Sequence, residues 1–216
     1  MYVAPSITEV EISGEKPSLT VKNGVFQLAV PVRLLDDPEG GAILLWYFRH
    51  DLAHLHYCPY NLRTVQTLAR AAYEEVRSWA HSHNAVRLFA DLQIDLFYLP
   101  LRFRRIPLHL VDEFSYKPKG LDIVRYSACK HIYKDAIPNH RIDKDIYFYG
   151  ALIGEIILSP RSWISKVKSI ASILKKLQAI GKLKELMKSA GNGIPLSDDL
   201  ESDTLSEACL LYTSPS

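Results

Sequence analysis

Ala42 to Tyr57 is a stretch so apolar that, as a helix, it must bury most of its surface, yet it holds two histidines four residues apart. Six apolar or aromatic residues, Ile43 to Phe48, precede His50, and His54 follows one turn later. That spacing puts both imidazoles on one helix face, where they can grip a single metal ion. Tyr47 and Tyr57 fall on the same face, Arg49 and His56 point elsewhere, and Pro59 stops the helix. Polar groups in such a segment need partners, because desolvated polar atoms are costly when unpaired.

A second segment, Ala85 to Leu99, carries the matching acids. Phe89, Leu92, Leu96 and Phe97 form its apolar side, while Asn84, Arg87, Asp91 and Asp95 lie along one stripe. Asp91 and Asp95 are four apart, so their carboxylates point the same way and repel. In an apolar helix that repulsion calls for a cation beside them, and a metal on the two-histidine helix would supply one.

His50-Asp51-x-x-His54 has the layout of the zinc-peptidase motif H-E-x-x-H, with Asp51 at the glutamate position. Together with Ala90-Asp91-Leu92-Gln93-Ile94-Asp95, it resembles the zincin-like metallopeptidase domains found with von Willebrand A proteins in prokaryotes. The likeness covers roughly residues 42–99. It implies zinc (Zn2+) as the cofactor, His50 and His54 as two ligands, and Asp91 as the third. Asp95 falls where the family has an asparagine. It is either an alternative ligand or a residue that orients a histidine. Three protein ligands leave a fourth zinc position to water. Asp51 then stands as general base for peptide hydrolysis. Being one methylene shorter than glutamate, it holds its oxygens on the order of 1 Å further back, a displacement that costs about a hundredfold in rate.

The reading is therefore of a zinc-dependent metallopeptidase acting on a peptide or protein. A catalytically weak zinc-binding interaction module, working with an ATPase or a von Willebrand A partner, is the alternative. A metal-dependent nuclease is a third, since His/Asp clusters also serve phosphodiesters. Tyr47, Tyr57 and Tyr60 all remain open as oxyanion donors. His56, His81 and His83 read as surface or loop histidines, His109, His131 and His140 as isolated ones, and Cys58 as a weak ligand candidate.

The expected fold is α+β and mostly helical, with a small N-terminal sheet. Ile7 to Ile12 reads as extended, and Lys22-Asn23-Gly24 marks a hairpin between Leu19–Val21 and Val25–Val32, with Pro31 ending the second strand or placing it at an edge. Leu62 to Ala80 reads as an ordinary amphipathic helix capped by Asn61, His81 to Asn84 as a connection, and Asp122–Asp135 and Lys144–Leu158 as helices. Arg102, Arg104 and Arg105 form a basic turn before Pro107.

Four regions are expected: a zincin-like domain over 1–160, a basic amphipathic helix over 161–190, an acidic linker over 191–208, and a tail over 209–216. The tail resembles a translated sequencing adapter, which would make Cys209 foreign to the protein and place the true C-terminus beyond about Ala208. Trp163, Val167, Ile170, Leu174, Leu177, Ile180 and Leu183 form an apolar stripe opposite Lys166, Lys168, Lys175, Lys176, Lys182 and Lys184. Arg161 to Lys188 carries eight Lys/Arg and one Glu, a local +7 against +2 for the whole chain, so the remainder is about −5. The basic balance therefore describes one segment, and it carries no firm nucleic-acid or membrane signal. Three scattered cysteines make no disulfide framework, and no run of apolar residues is long enough to span a bilayer, which points to the cytoplasm.

Overall fold

The structure, a computed structural model, describes residues 7–12, 17–22 and 25–182. The expected acidic linker, the adapter-like tail and the end of the basic helix lie outside them. The chain is mostly helical, with a small sheet at its start. It divides into two compact units between Leu62 and Arg63.

The first unit opens with strands β1 (Ile7–Ile12), β2 (Ser18–Lys22) and β3 (Val25–Val30) in the order β1-β3-β2. The hairpin signal is realised as an antiparallel β2–β3 pair closed at Lys22↔Val25. β1 runs parallel to β3 on its other side, with Ile12 opposite Val30. β3 ends at Val30 because Pro31 has no N–H to give the ladder. Pro31 instead stands at the N-cap of a short helix, α1 (Val32–Leu35), so Val32, expected at the end of the strand, is helical. Helix α2 (Gly40–His56) follows. A Cβ at Gly40 would lie 1.8 Å from the Leu34 carbonyl oxygen, so only glycine lets the start of α2 meet the end of α1.

α2 is not buried all round, as its composition suggested. Trp46, Tyr47 and Ala53 are buried, but Leu45 is 47% and Leu52 38% exposed. Arg49 lies over the Trp46 ring, 4.8 Å from its centroid, and so covers part of that apolar surface.

The division falls after the first residue of α3 (Leu62–Val76), a helix shorter than expected, and the rest of α3 opens the second unit. The backbone of Arg77 takes a left-handed conformation (φ 55°), and Ser78 starts a new helix, α4 (Trp79–Leu92), by accepting from the His81 N–H. His81 and His83 therefore belong to the first turns of α4 and not to a loop. Trp79, expected on the apolar stripe of α3, stacks on Tyr73 across the break at 4.5 Å. After α4 the helix widens into a π-helical segment, Gln93–Tyr98, and continues as α5 (Leu99–Phe103). Then come α6 (Leu108–Glu113), α7 (Asp122–Ile132), α8 (Lys144–Leu158) and α9 (Trp163–Ala179).

The core of this unit is built on α4, α7, α8 and α9. α7 and α8 approach closely because α8 presents glycine at the contact: a Cβ at Gly150 would meet Ser127 Cβ at 2.4 Å and the Val124 carbonyl at 2.9 Å. The expected appendage, α9, packs into this unit, burying Val167, Ile170, Ile173, Leu174 and Leu177. Two of its side chains depart from the expected stripes. Ile180 is exposed, whereas Lys166 is only 3% exposed and donates to Gln93 Oε1 (3.1 Å) and to the Ile157 carbonyl (2.6 Å). The remaining basic face is partly neutralised within the unit. Lys168 pairs with Glu74, Lys175 donates to the Glu75 carbonyl (2.9 Å), and Lys182 pairs with Asp143 (2.7 Å). No helix among the described residues is long and apolar enough to cross a membrane.

Candidate metal centre

Each unit holds donors of the kind that bind metal, and each set has its own geometry. In the first unit, α2 brings His50 and His54 together as their spacing requires. Their Nε2 atoms are 3.1 Å apart, and the rings meet edge to face with centroids 4.8 Å apart. His54 Nδ1 lies 3.0 Å from the Cys58 carbonyl oxygen. A carbonyl only accepts, so Nδ1 carries a proton, and in the neutral ring Nε2 then keeps its lone pair. This is the tautomer a ligand histidine needs, fixed by a backbone acceptor.

The chain end of α2 makes that acceptor available. Tyr57 and Cys58 N–H both donate to Ala53 O and Tyr60 N–H donates to His54 O, so the backbone folds back over the last helical turn. Cys58 itself is fully buried, and its carbonyl, not its sulfur, serves His54. Two nitrogens about 2.0–2.1 Å from one tetrahedral zinc stand roughly 3.3 Å apart, close to the separation seen here. The donor set of His50 and His54 therefore fits two positions of a transition-metal site. Asp51, beside His50, is half-buried, as are both histidines. His56, by contrast, is exposed and turns back onto the Leu52 carbonyl at 2.6 Å, outside this arrangement.

In the second unit the two acids differ in surroundings. Asp91 is half-buried. Asp95, in the π-helical segment, is 0% exposed, and both of its oxygens are engaged. Oδ1 accepts from His109 Nε2 (3.0 Å) and Oδ2 from Arg125 Nη2 (2.7 Å). Arg125 Nη1 also donates to Glu113 Oε2 (2.8 Å), and the Tyr133 hydroxyl donates to the Asp95 carbonyl (3.0 Å). π-helical turns inside α-helices occur often at functional sites, and this one carries a fully buried carboxylate with a charged partner.

These contacts set the local electrostatics. Burial disfavours the charge on Arg125, but Glu113, Asp95 and Asp91 together hold its pKa well above the ordinary value. Burial pushes the Cys129 thiol well up, with Asp95 adding to the effect, and burial likewise raises the Tyr133 phenol. Cys129 is thus a packing residue and not a nucleophile.

Sequence reasoning asked for a cation beside Asp91 and Asp95, and the second unit provides one in Arg125. Asp95 also orients a histidine, but that histidine is His109, which the sequence marked only as isolated. Glu113, Arg125 and Tyr133 gave no local signal. They lie 18, 30 and 38 residues beyond Asp95, respectively, and only packing brings them to it. His131 and His140 are engaged elsewhere, with Glu155 Oε1 (2.8 Å) and the Phe114 carbonyl (2.7 Å).

No protein-family model matches this chain, and no curated protein or solved structure matches it.

Proposed function

We propose that the chain is a zinc-dependent metallopeptidase whose ligands are His50, His54 and Asp91 and whose general base is Asp51. The observation that supports it most is the pair of imidazoles on α2, with His54 Nε2 held as a lone pair 3.1 Å from His50 Nε2. When bound, zinc supplies Lewis acidity and a water of pKa about 7. The chain's own groups do the rest. The Cys58 carbonyl keeps His54 in its ligating tautomer. Asp51 accepts the proton released by the attacking water and passes it to the leaving amine. Arg125, paired with Asp95, also interacts electrostatically with Asp91 and so sets a positive charge near that proposed ligand.

A zinc-binding interaction module of little catalytic power is the second reading, favoured by the shorter acid at position 51. Zinc titration by calorimetry, followed by assays against casein and a peptide library, separates the two. A zinc-loaded, pure chain that cleaves peptide and loses cleavage in Asp51→Ala supports the peptidase. Zinc binding without cleavage, with cleavage appearing in Asp51→Glu, supports the module. Failure to bind zinc stoichiometrically overturns both.

A further inference from the structure

We propose that the turn Leu101–Ile106 of the second unit is a docking element for an anionic lipid surface. Three arginines, Arg102, Arg104 and Arg105, fall within four consecutive positions, and all three are exposed. None of their guanidinium groups has an ion-pair, hydrogen-bond or ring partner among the described residues. The local chain does not balance them, since no Asp or Glu occurs between Asp95 and Asp112. Elsewhere in the unit, Glu113 is bound to Arg125 and Glu74 to Lys168.

Apolar side chains surround this charge. Leu101 is 55% and Ile106 37% exposed, and Phe97, one turn before Leu101, is 38% exposed. The backbone presents them on a tight projection. α5 ends at Arg104, whose backbone is left-handed (φ 56°) and whose N–H closes on the Pro100 carbonyl at 2.9 Å. Glycine takes this conformation at less cost, yet the position carries an arginine. Pro107 then fixes the start of α6.

Aliphatic tips next to guanidiniums that have no partner among the described residues match an anionic bilayer interface better than a soluble polyanion. Leucine and isoleucine gain from the acyl boundary, while arginine stems lie along it with their charges at the headgroups. A nucleic acid would instead reward free aromatic faces for stacking, and Phe97, the exposed aromatic here, already has the Lys166 ammonium over its ring, 5.5 Å from the centroid. The negative headgroups attract each basic residue near the surface, worth about fivefold in partitioning per arginine at moderate salt.

The test is co-sedimentation of the full chain with vesicles of phosphatidylcholine alone or with roughly a third phosphatidylserine. Binding to the anionic vesicles that weakens with added salt is expected. It should fall by a factor of about 25 or more in Arg102→Glu/Arg105→Glu, and also drop in Leu101→Ser/Ile106→Ser, which keeps every charge. Circular dichroism spectra matching the parent confirm that both variants are folded. These are solvent-facing changes, and single Arg102→Ala and Arg105→Ala variants give the same ordering if a double variant unfolds. Absence of anionic-vesicle binding overturns the proposal, as does binding unaffected by the arginine variants. Loss in the charge variant alone, with equal binding to a single-stranded oligonucleotide, also overturns it in favour of a soluble polyanion.

Discussion

Asp95 Oδ2 and Arg125 Nη2 lie 2.7 Å apart, with the acid fully buried and the arginine nearly so. The same guanidinium reaches Glu113, so one cation serves two carboxylates and acts on Asp91 as a third. Removing one member of a buried ion network leaves the other charges uncompensated, which costs more than the network is worth as a whole. Arg125→Met is therefore expected to destabilise the protein by about 3–5 kcal/mol. Arg125→Lys should recover only part of this, since an ammonium cannot present two parallel donors. Urea unfolding followed by circular dichroism measures both, and equal stability of parent and Arg125→Met would refute the role assigned to the network.

The histidine pair makes a sharper demand on metal affinity. His54→Ala and His50→Ala should each lower zinc affinity by at least about a hundredfold. A chain whose zinc affinity is unchanged in both variants does not bind metal through α2. Because ligating histidines must be neutral, metal binding through α2 should release protons, which calorimetry in buffers of different ionisation enthalpy measures.

Gly150 and Gly41 form a matched pair for the helix contacts. At Gly150 an added Cβ would press on Ser127 Cβ and the Val124 carbonyl, and neither can retreat without moving α7. Gly150→Ala is expected to cost about 1–3 kcal/mol. At Gly41 nothing lies within 4 Å, so Gly41→Ala should be neutral or stabilise α2 by up to about 1 kcal/mol. Thermal melts of the two variants in opposite order would show that α7 and α8 do not pack as described.

Asp143 gives a pH dependence. It caps α8 by accepting from the N–H groups of Asp145 and Ile146, and the Lys182 hydrogen bond is the main cause of a pKa below the ordinary value of 3.8. A carboxyl with a lowered folded pKa contributes stability that is fully present above its unfolded value and is lost as pH falls through the folded one. The acid side of the stability curve should therefore flatten in Asp143→Asn, which can still cap but does not ionise. Unfolding midpoints from pH 7 down to about 2 would reveal this, and superimposable curves would count against it.

How much of this was legible in the sequence depends on the distance between the residues concerned. Lys144–Leu158 is legible with its bounds because its apolar period and the Ser159-Pro160 stop are local; the Asp143 cap is what the structure adds. The break at Arg77–Ser78 was missed because the 3–4 spacing of apolar residues carries on through Trp79, and Trp79 in fact stacks back on Tyr73 from the next helix. Lys166 was assigned to solvent because it alternates with apolar neighbours like the other lysines. It is buried only because Gln93 and the Ile157 carbonyl, from two other elements, meet its ammonium group.

By itself the sequence determined what helical spacing and turn chemistry dictate: a mostly helical chain, an N-terminal hairpin, and two histidines facing one way on α2. Those follow from dihedral periodicity, which needs no knowledge of distant residues. Tertiary structure decided which groups neutralise one another. Asp95 is satisfied by His109, Arg125 and Tyr133, none of which its own helix contains. A buried charge must find its partner in space, and chain separation of 14 to 38 residues leaves no periodic trace for a sequence to show.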